Sequence, residues 1–527
     1  MEPREYPSLI SRRSFIRQAA CAALGTAAIT NTVRDLRLMN MAMAQATPPS
    51  DYKALVCIFL SGGNDSNNWF IPTAPEDYAQ YKLIRDAPLA IPNTVAGNLN
   101  TILPLVADNP DGGRTYGVHP ACPELKALFD AGKMAAVFNV GTLVYPLTKA
   151  QFSSNSVARP PQLFSHGDQV AQWQTSIPDR EPVSGWGGRC ADYLDAFNPK
   201  DANGASQLSL AISVAGSNTF EVGAIAQQYA VSPSSGVISL TSNIGPTVSQ
   251  TNRQAAMNSL LGYDKAHINL VKQNYALALS KSISTGASLS TAMTATKMAA
   301  YWNNAANFPK VTTPTSTTSF TSSLMAQMKM VAKIIEAGQR SPTYAGAAGM
   351  GMKRQIFFCT VGGFDTHNNQ TNNAGQAGFN DTEVVKGSHA NLLAEISQSV
   401  NEFQKALVAI GATYGDPDFE KRVTSFTASD FSRNFPTNSS GCDHGWGGHH
   451  MVVGGAVEGR KTYGKYPSIA VGGPDDTSSG RWIPTTSVDQ FAATMAKWFG
   501  IPQSEMGRVF PNLNRFNTPD LGFMKPA

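Results

Sequence analysis

The sequence predicts an α/β fold, a mostly parallel sheet flanked by helices, with a Ser/Thr/Ala-rich inserted cap region. Three observations predict it. Residues 54–63 (ALVCIFLSGG) and 355–363 (QIFFCTVGG) are continuous apolar runs that end in paired glycines, the mark of strands buried on both faces of a parallel sheet. A long helical pattern at 388–412 separates the second run from a third at 422–433 (RVTSFTASDFSR), which makes a βαβ unit. The chain has 527 residues of which 42% are hydrophobic, enough to bury one large core or two ordinary ones.

Taken in order, residues 1–44 are expected to be a removable export signal. Arg12 and Arg13 precede Phe15 and a short, weakly apolar run, and Ala42-Met43-Ala44 offers a cleavage site, the pattern of a twin-arginine signal. That run is too short to span a bilayer, so no stable membrane span is expected. The implied location is periplasmic or extracellular, and the implied partner during export is the twin-arginine translocase. Cleavage leaves 35 basic against 34 acidic residues, and without a basic block nothing points to nucleic acid. Cys21 falls in the signal. The other five cysteines form no close pair such as CxxC, so neither a disulfide framework nor a zinc-thiolate site is expected.

In the mature chain, 45–527, residues 124–133 read as a helix with a glycine stop and 134–141 as the next strand. The stretch from about 195 to 318 is rich in Ser, Thr, Ala and Asn, lacks a strand-helix rhythm and is read as an insertion or cap, its Thr-rich end as an exposed linker. Helical patterning resumes at 323–339. Residues 467–473 (PSIAVGG) suggest another strand, and 487–501 an amphipathic helix capped by Ser487.

Ligands of an open parallel sheet gather at the carboxyl ends of its strands. Those ends carry Asp65, then Asp365 and His367, then Asp430 and Arg433, followed closely by GCDHGWGGHH at 441–450. That last stretch holds Asp443, His444, His449 and His450, three of the chain's eight histidines. Mixed carboxylate and imidazole donors suit zinc and, with more carboxylate, manganese, magnesium or calcium. One or two divalent ions are expected, the glycines supplying the positive φ that lets a loop wrap an ion. A glycine-rich loop with surface histidines is the competing explanation.

Ser165 and His166 stand before the helical GDQVAQWQT, where a hydroxyl would meet an anion at a helix start; Ser165 is equally readable as a plain cap. Ser66 is a second candidate by position. Arg433 is suited to a phosphate or sulfate, or to holding Asp430. Trp69, Trp446 and Trp482 are candidates for a substrate wall or for packing. His119 reads as structural or supporting, and His267 and His389 as ordinary helical histidines.

The segments LSGGNDSNNWFIP, GVHPACPELKALFDAGKMAAVFNVG, LFSHGDQVAQWQT, GGFDTHNNQ, SDFSRN with GCDHGWGGHHMVVGGAV, and RWIPTTSVDQFAATMAKWFGI, in this order, are similar to the exported bacterial family called domain of unknown function 1501. That family resembles the alkaline phosphatase and sulfatase superfamily. The resemblance implies an alkaline-phosphatase-like core whose strand-end Asp, nucleophilic Ser or Thr, Asp with nearby His, Asp-His pair and final His surround one or two metal ions. Asp65 matches the first Asp, and Asp365 with His367 the next pair at shorter spacing. Asp430 occupies the Asp-His position, but Phe431 stands where histidine would be. Asp443 with His444 would restore that ligand, and His449 or His450 the final one.

The implied activity is metal-dependent hydrolysis of a small anionic phosphate or sulfate ester. The alternative is a non-catalytic metal-binding envelope protein of the same fold. An oxidoreductase accessory ranks last, because no GxGxxG follows the first strand.

Overall fold

The computed structural model describes residues 49–93, 101–109, 111–200, 206–237, 248–265, 269–372 and 382–526. The expected export signal with Arg12 and Arg13, and also His267, lie outside the described residues. Five strands form the centre of a ten-stranded sheet: β1 (Lys53–Leu60), β2 (Met134–Gly141), β3 (Arg354–Val361), β4 (Val423–Ser429) and β5 (Gly448–Val453). Across the sheet the order is Lys461–Gly464, β2, β5, β4, β1, β3, Ala211–Ser213, Tyr229–Ser232 and Gly236–Val237, with Thr486–Ser487 also beside β2. β1 runs parallel to both β3 and β4, and Leu60 lies opposite Val361 and Ser429. β5 runs antiparallel to β4 and β2. Its first residue, Gly448, therefore enters at the edge where the other four strands end.

The continuous apolar runs are explained by two-sided burial. In β1, Ala54, Val56, Ile58 and Leu60 belong to one core, while Leu55, Cys57 and Phe59 belong to the other. Helix α1 (His166–Thr175) packs in the second core, α2 (Ser323–Gln339) and α3 (Ser388–Tyr414) in the first, and α4 (Val488–Phe499) in the second. α4 begins as its sequence implies: the Ser487 hydroxyl accepts from the Gln490 N–H, and Gln490 reaches back to the Ser487 N–H.

Two expectations change. Residues 467–473 form no strand; the strand lies at Lys461–Gly464. Pro467 has no N–H, and the Asp475 and Asp476 carboxylates take the N–H groups of Ser468 and Gly472 that a ladder would use. The stretch read as a polar insertion supplies one edge of the sheet: Ala211–Ser213 pairs with β3, and Tyr229–Ser232 follows. Helix Leu270–Thr294 then sets Leu289 and Ala292 into the first core. Strands of three or four residues are too short for alternation to show in sequence.

Candidate metal centre

Four chain segments meet at the carboxyl edge. His166 opens α1, Asp365 and His367 follow β3, Asp430 follows β4, and Asp443 and His444 lie in the loop leading to β5. The glycines of that loop act by closeness. Gly441, Gly445 and Gly447 all lack positive φ, contrary to the expectation. A Cβ on Gly441 would come within 2.0 Å of the Thr366 carbonyl, and one on Gly445 within 2.6 Å of the Ser432 carbonyl. The loop thus lies backbone against backbone on the Asp365–His367 turn at Gly441 and on Ser432–Arg433 at Gly445, which only glycine permits.

The hydrogen bonds fix which nitrogen of each imidazole carries the proton. Nδ1 of His166 is 2.7 Å from Asp430 Oδ2, Nδ1 of His444 is 2.7 Å from the Phe164 carbonyl, and Nδ1 of His367 is 3.1 Å from Asp443 Oδ1. Carboxylates and carbonyls only accept, so each Nδ1 donates and each neutral ring keeps its lone pair on Nε2. For His444 the neutral form is favoured, since burial, then the charges of Arg433 and the neighbouring imidazoles, lower its pKa despite the Phe164 hydrogen bond.

Those lone pairs converge. His166, Asp365 and His444 each offer one ligand atom within 4.8 Å of the others. Oδ1 of Asp365 lies 3.5 Å from His166 Nε2, 3.3 Å from His367 Nε2 and 3.7 Å from His444 Nε2. The Nε2 atoms of His367 and His444 are 2.9 Å apart, and His166 Nε2 is buried with no hydrogen-bond partner. At 2.9 Å the two Nε2 atoms share either a proton, as a hydrogen bond between the rings, or a cation, and the orphaned His166 nitrogen beside them is unfavourable without a partner. Ligands at about 2.0–2.1 Å around a tetrahedral zinc lie about 3.3 Å from one another, close to the 3.5 and 3.7 Å from Asp365 Oδ1 to His166 and His444; His367 approaches Asp365 and His444 but stands outside the group of three.

The surroundings support that geometry. Partial burial pushes the Asp365 carboxyl up, but the hydrogen bond and charge of Arg433 and the nearby imidazoles outweigh it, and its pKa falls. Asp430 is the acceptor that orients His166, its other oxygen receiving the Gly62 N–H at 3.1 Å. The Phe431 ring lies 4.7 Å from the His166 ring and 4.8 Å from the His444 ring. The residue standing in place of the expected histidine is a wall. Phe164 turns its carbonyl toward His444 from a φ of 72°, a conformation costly for an aromatic residue and typical of functional sites.

The model of the family described as "Protein of unknown function (DUF1501)" matches residues 52–509. The chain belongs to this family. No curated protein matches it.

The remaining expected residues of this DUF1501 chain fall elsewhere. Asp65 is fully buried in a two-pronged pair with Arg85, at 2.7 and 2.8 Å, and also accepts from Gln370. Its carboxylate is spent there, which takes the first expected metal ligand out of the set. His449 is buried, takes the Asn139 N–H at 3.2 Å and stacks on Tyr466. His450 packs against Trp173. Burial lowers the pKa of both to about 3, and neither belongs to the group formed by His166, Asp365 and His444, so the terminal ligand is not drawn from them. Arg433 is buried, and its donors go to the carbonyls of Gly62, Gly63, Phe364 and Cys442 and to Asp365. It clasps the strand ends and holds Asp365 rather than Asp430, with no donor set left for a substrate.

The Ser165 hydroxyl donates to Asp168 at 2.6 Å within its own helical turn, and Ser66 is buried against Ser432 and the His449 N–H. Trp69, Trp446 and Trp482 are buried, and the last two donate to Thr142 and Asn67, so they pack and line nothing. His119 and His389 are buried neighbours with pKa values lowered by burial to about 3 and about 4; His119 is structural, as expected. Sequence reasoning missed Arg85, whose helix reads as ordinary, and Arg481, which donates through Nε to the His444 carbonyl at 2.9 Å.

Proposed function

We propose that this protein is an exported metal-dependent hydrolase of phosphate or sulfate esters, working with one divalent ion held by His166, Asp365 and His444 and approached by His367. The observation that carries the proposal is the approach of His166, Asp365 and His444, whose ligand atoms lie within 4.8 Å of one another, with His166 Nε2 buried and unpartnered. The nitrogen-rich donor set favours zinc over magnesium or calcium. With Asp65 locked to Arg85, a second ion lacks its carboxylate, so a one-ion centre is the form proposed.

The motif order and strand-end placement of the donors support an alkaline-phosphatase-like core, with the part of 195–318 beyond the sheet as its cap. The arginine pair at 12 and 13 supports export by the twin-arginine translocase, which delivers a folded, metal-loaded chain to the periplasm or beyond. A divalent ion at this site supplies Lewis acidity to a bound phosphoryl or sulfuryl oxygen. The chain's own residues do the rest. Asp430, Asp443 and the Phe164 carbonyl aim the imidazoles, Arg433 keeps Asp365 ionised, and Phe431 excludes water from the inner side.

The second reading, a non-catalytic metal-binding envelope protein, is favoured by one observation: His367 makes a fourth protein donor, and four-donor zinc sites are closed. His367 is nevertheless the loosest of the three imidazoles, since its acceptor Asp443 is 49% exposed whereas Asp430 is 3% exposed. Elemental analysis of periplasmic protein, with a panel of aryl phosphates, phosphodiesters and sulfates, tests both readings. One ion per chain and turnover lost in Asp365→Ala and His444→Ala supports the hydrolase. One ion and no turnover beyond those variants supports the binder, and protein purified without metal overturns both.

A further inference from the structure

Among the described residues, two cavities stand out, and one touches the metal centre. The first, lined by Trp302, Met330 and Lys333 among others, shares no residue with the centre. The second is an open cleft of about 380 Å³ whose walls include Phe152, Asn155, Arg159, Pro161, Gln162 and Phe164. Phe164 belongs to both the cleft and the centre, because its carbonyl holds His444 Nδ1. Three of the cleft's residues, Asn155, Gln162 and Phe164, hold φ values of 54°, 52° and 72°, so non-glycine backbone strain gathers on this one wall.

Two cations stand over its aromatic rings. The Arg159 guanidinium lies 4.5 Å from the Phe152 ring centre, and that of Arg481 lies 4.6 Å from the Phe164 ring centre. Neither forms an ion pair with a carboxylate among the described residues. Arg159 is anchored through Nη1 to the Phe152 carbonyl and Arg481 through Nε to the His444 carbonyl, which leaves the terminal nitrogens of Arg481 for a ligand. Arg433 is less suited to that part, since it is buried and each of its three nitrogens already donates to the strand ends or Asp365. An arginine held over a ring and pinned by one nitrogen has its reach limited, and its remaining N–H groups form the planar fork suited to an oxyanion.

Resting on the one-ion reading above, we infer that Arg481 binds the oxyanion of the substrate beside the ion and that the Phe152–Phe164 cleft receives its leaving group. The substrates are then esters with a flat, bulky leaving group rather than small alkyl esters. The aromatic walls and prolines supply apolar contact to such a group, and Arg159 adds a cation at the cleft wall.

The test is calorimetric titration of metal-loaded protein with inorganic phosphate and with phenylphosphonate, whose P–C bond an ester hydrolase does not cleave, so that the subsites are read without turnover. Wild type is expected to bind phenylphosphonate about tenfold tighter than inorganic phosphate. Arg481→Met is expected to weaken both by about tenfold. Phe152→Ala is expected to weaken phenylphosphonate alone. Because Arg481 also holds the His444 carbonyl, Arg481→Gln serves as the second variant: it keeps a donor for that carbonyl, must retain the ion, and must still lose phosphate affinity. Retained affinity in Arg481→Gln overturns the oxyanion role, and equal affinities for the two probes in wild type overturn the leaving-group cleft. Metal-loaded wild type that binds neither probe overturns the whole inference. Protein lacking the ion fails the one-ion reading instead, which the metal analysis reports separately.

Discussion

Two clusters of acid, imidazole and arginine lie at the same end of one sheet and behave in opposite ways. In the buried cluster, Asp65 has both oxygens on Arg85, Gln370 adds a third donor, and His389 Nε2 pairs with Asn64. In the rim cluster, each Nδ1 is satisfied and each Nε2 is turned toward Asp365. The residue types are nearly the same. What separates a structural polar knot from a ligand site is the lone pairs left over once local hydrogen bonds are made.

The comparison breaks most visibly at Arg85. Arg85→Met leaves a buried carboxylate without its cation and should destabilise the fold by about 3–5 kcal/mol in chemical denaturation. The protein that remains folded should still hold its ion, and loss of the ion with unchanged stability would reverse the two assignments. Asp430→Asn attacks the rim instead. It removes the acceptor that orients His166, and metal affinity measured by chelator competition should fall by about 10–100-fold with little change in stability. Asp443→Asn should cost less affinity than Asp430→Asn, because Asp443 is half exposed and its interaction with His367 is screened by solvent.

A third buried acid sharpens the contrast by having no cation. Glu221 is buried, receives Asn218 on one oxygen, and has its other oxygen unpartnered; burial raises its pKa to about 8. The folded state therefore keeps a proton that the unfolded chain releases near 4.5. The stability this confers is complete below about pH 4.5 and is lost as pH rises through about 8. Glu221→Gln should flatten that slope, so that thermal melts of variant and wild type diverge progressively between pH 5 and 8. Parallel slopes would show that the carboxyl is ionised in the fold.

Much of the architecture was legible. The runs at 54–60, 134–141 and 355–361, the long helix after 388 and the Ser487 cap were all readable because they rest on local chemistry and a period. The short edge strands at Ala211–Ser213 and Tyr229–Ser232 were not, because three or four residues carry no period. At the site the expected ligands divide: Asp365, His367 and His444 lie together, Asp430 and Asp443 are acceptors that orient His166 and His367, and His166, read from sequence only beside Ser165 at a helix start, stands in the cluster. Asp65, His449 and Arg433 were named for the same reason and serve other ends.

That division has one cause. Strand length and glycine stops, both local features, set where each strand finishes and so which segments deliver acids and imidazoles to the strand ends. Which of those groups find partners is settled by long-range packing: Arg85, 20 residues beyond Asp65, reaches it from the helix Pro75–Leu89, and the Phe164 carbonyl reaches His444 across 280 positions. Hydrogen bonds between distant residues leave no periodic trace, so the choice between a satisfied polar group and a waiting ligand belongs to the fold.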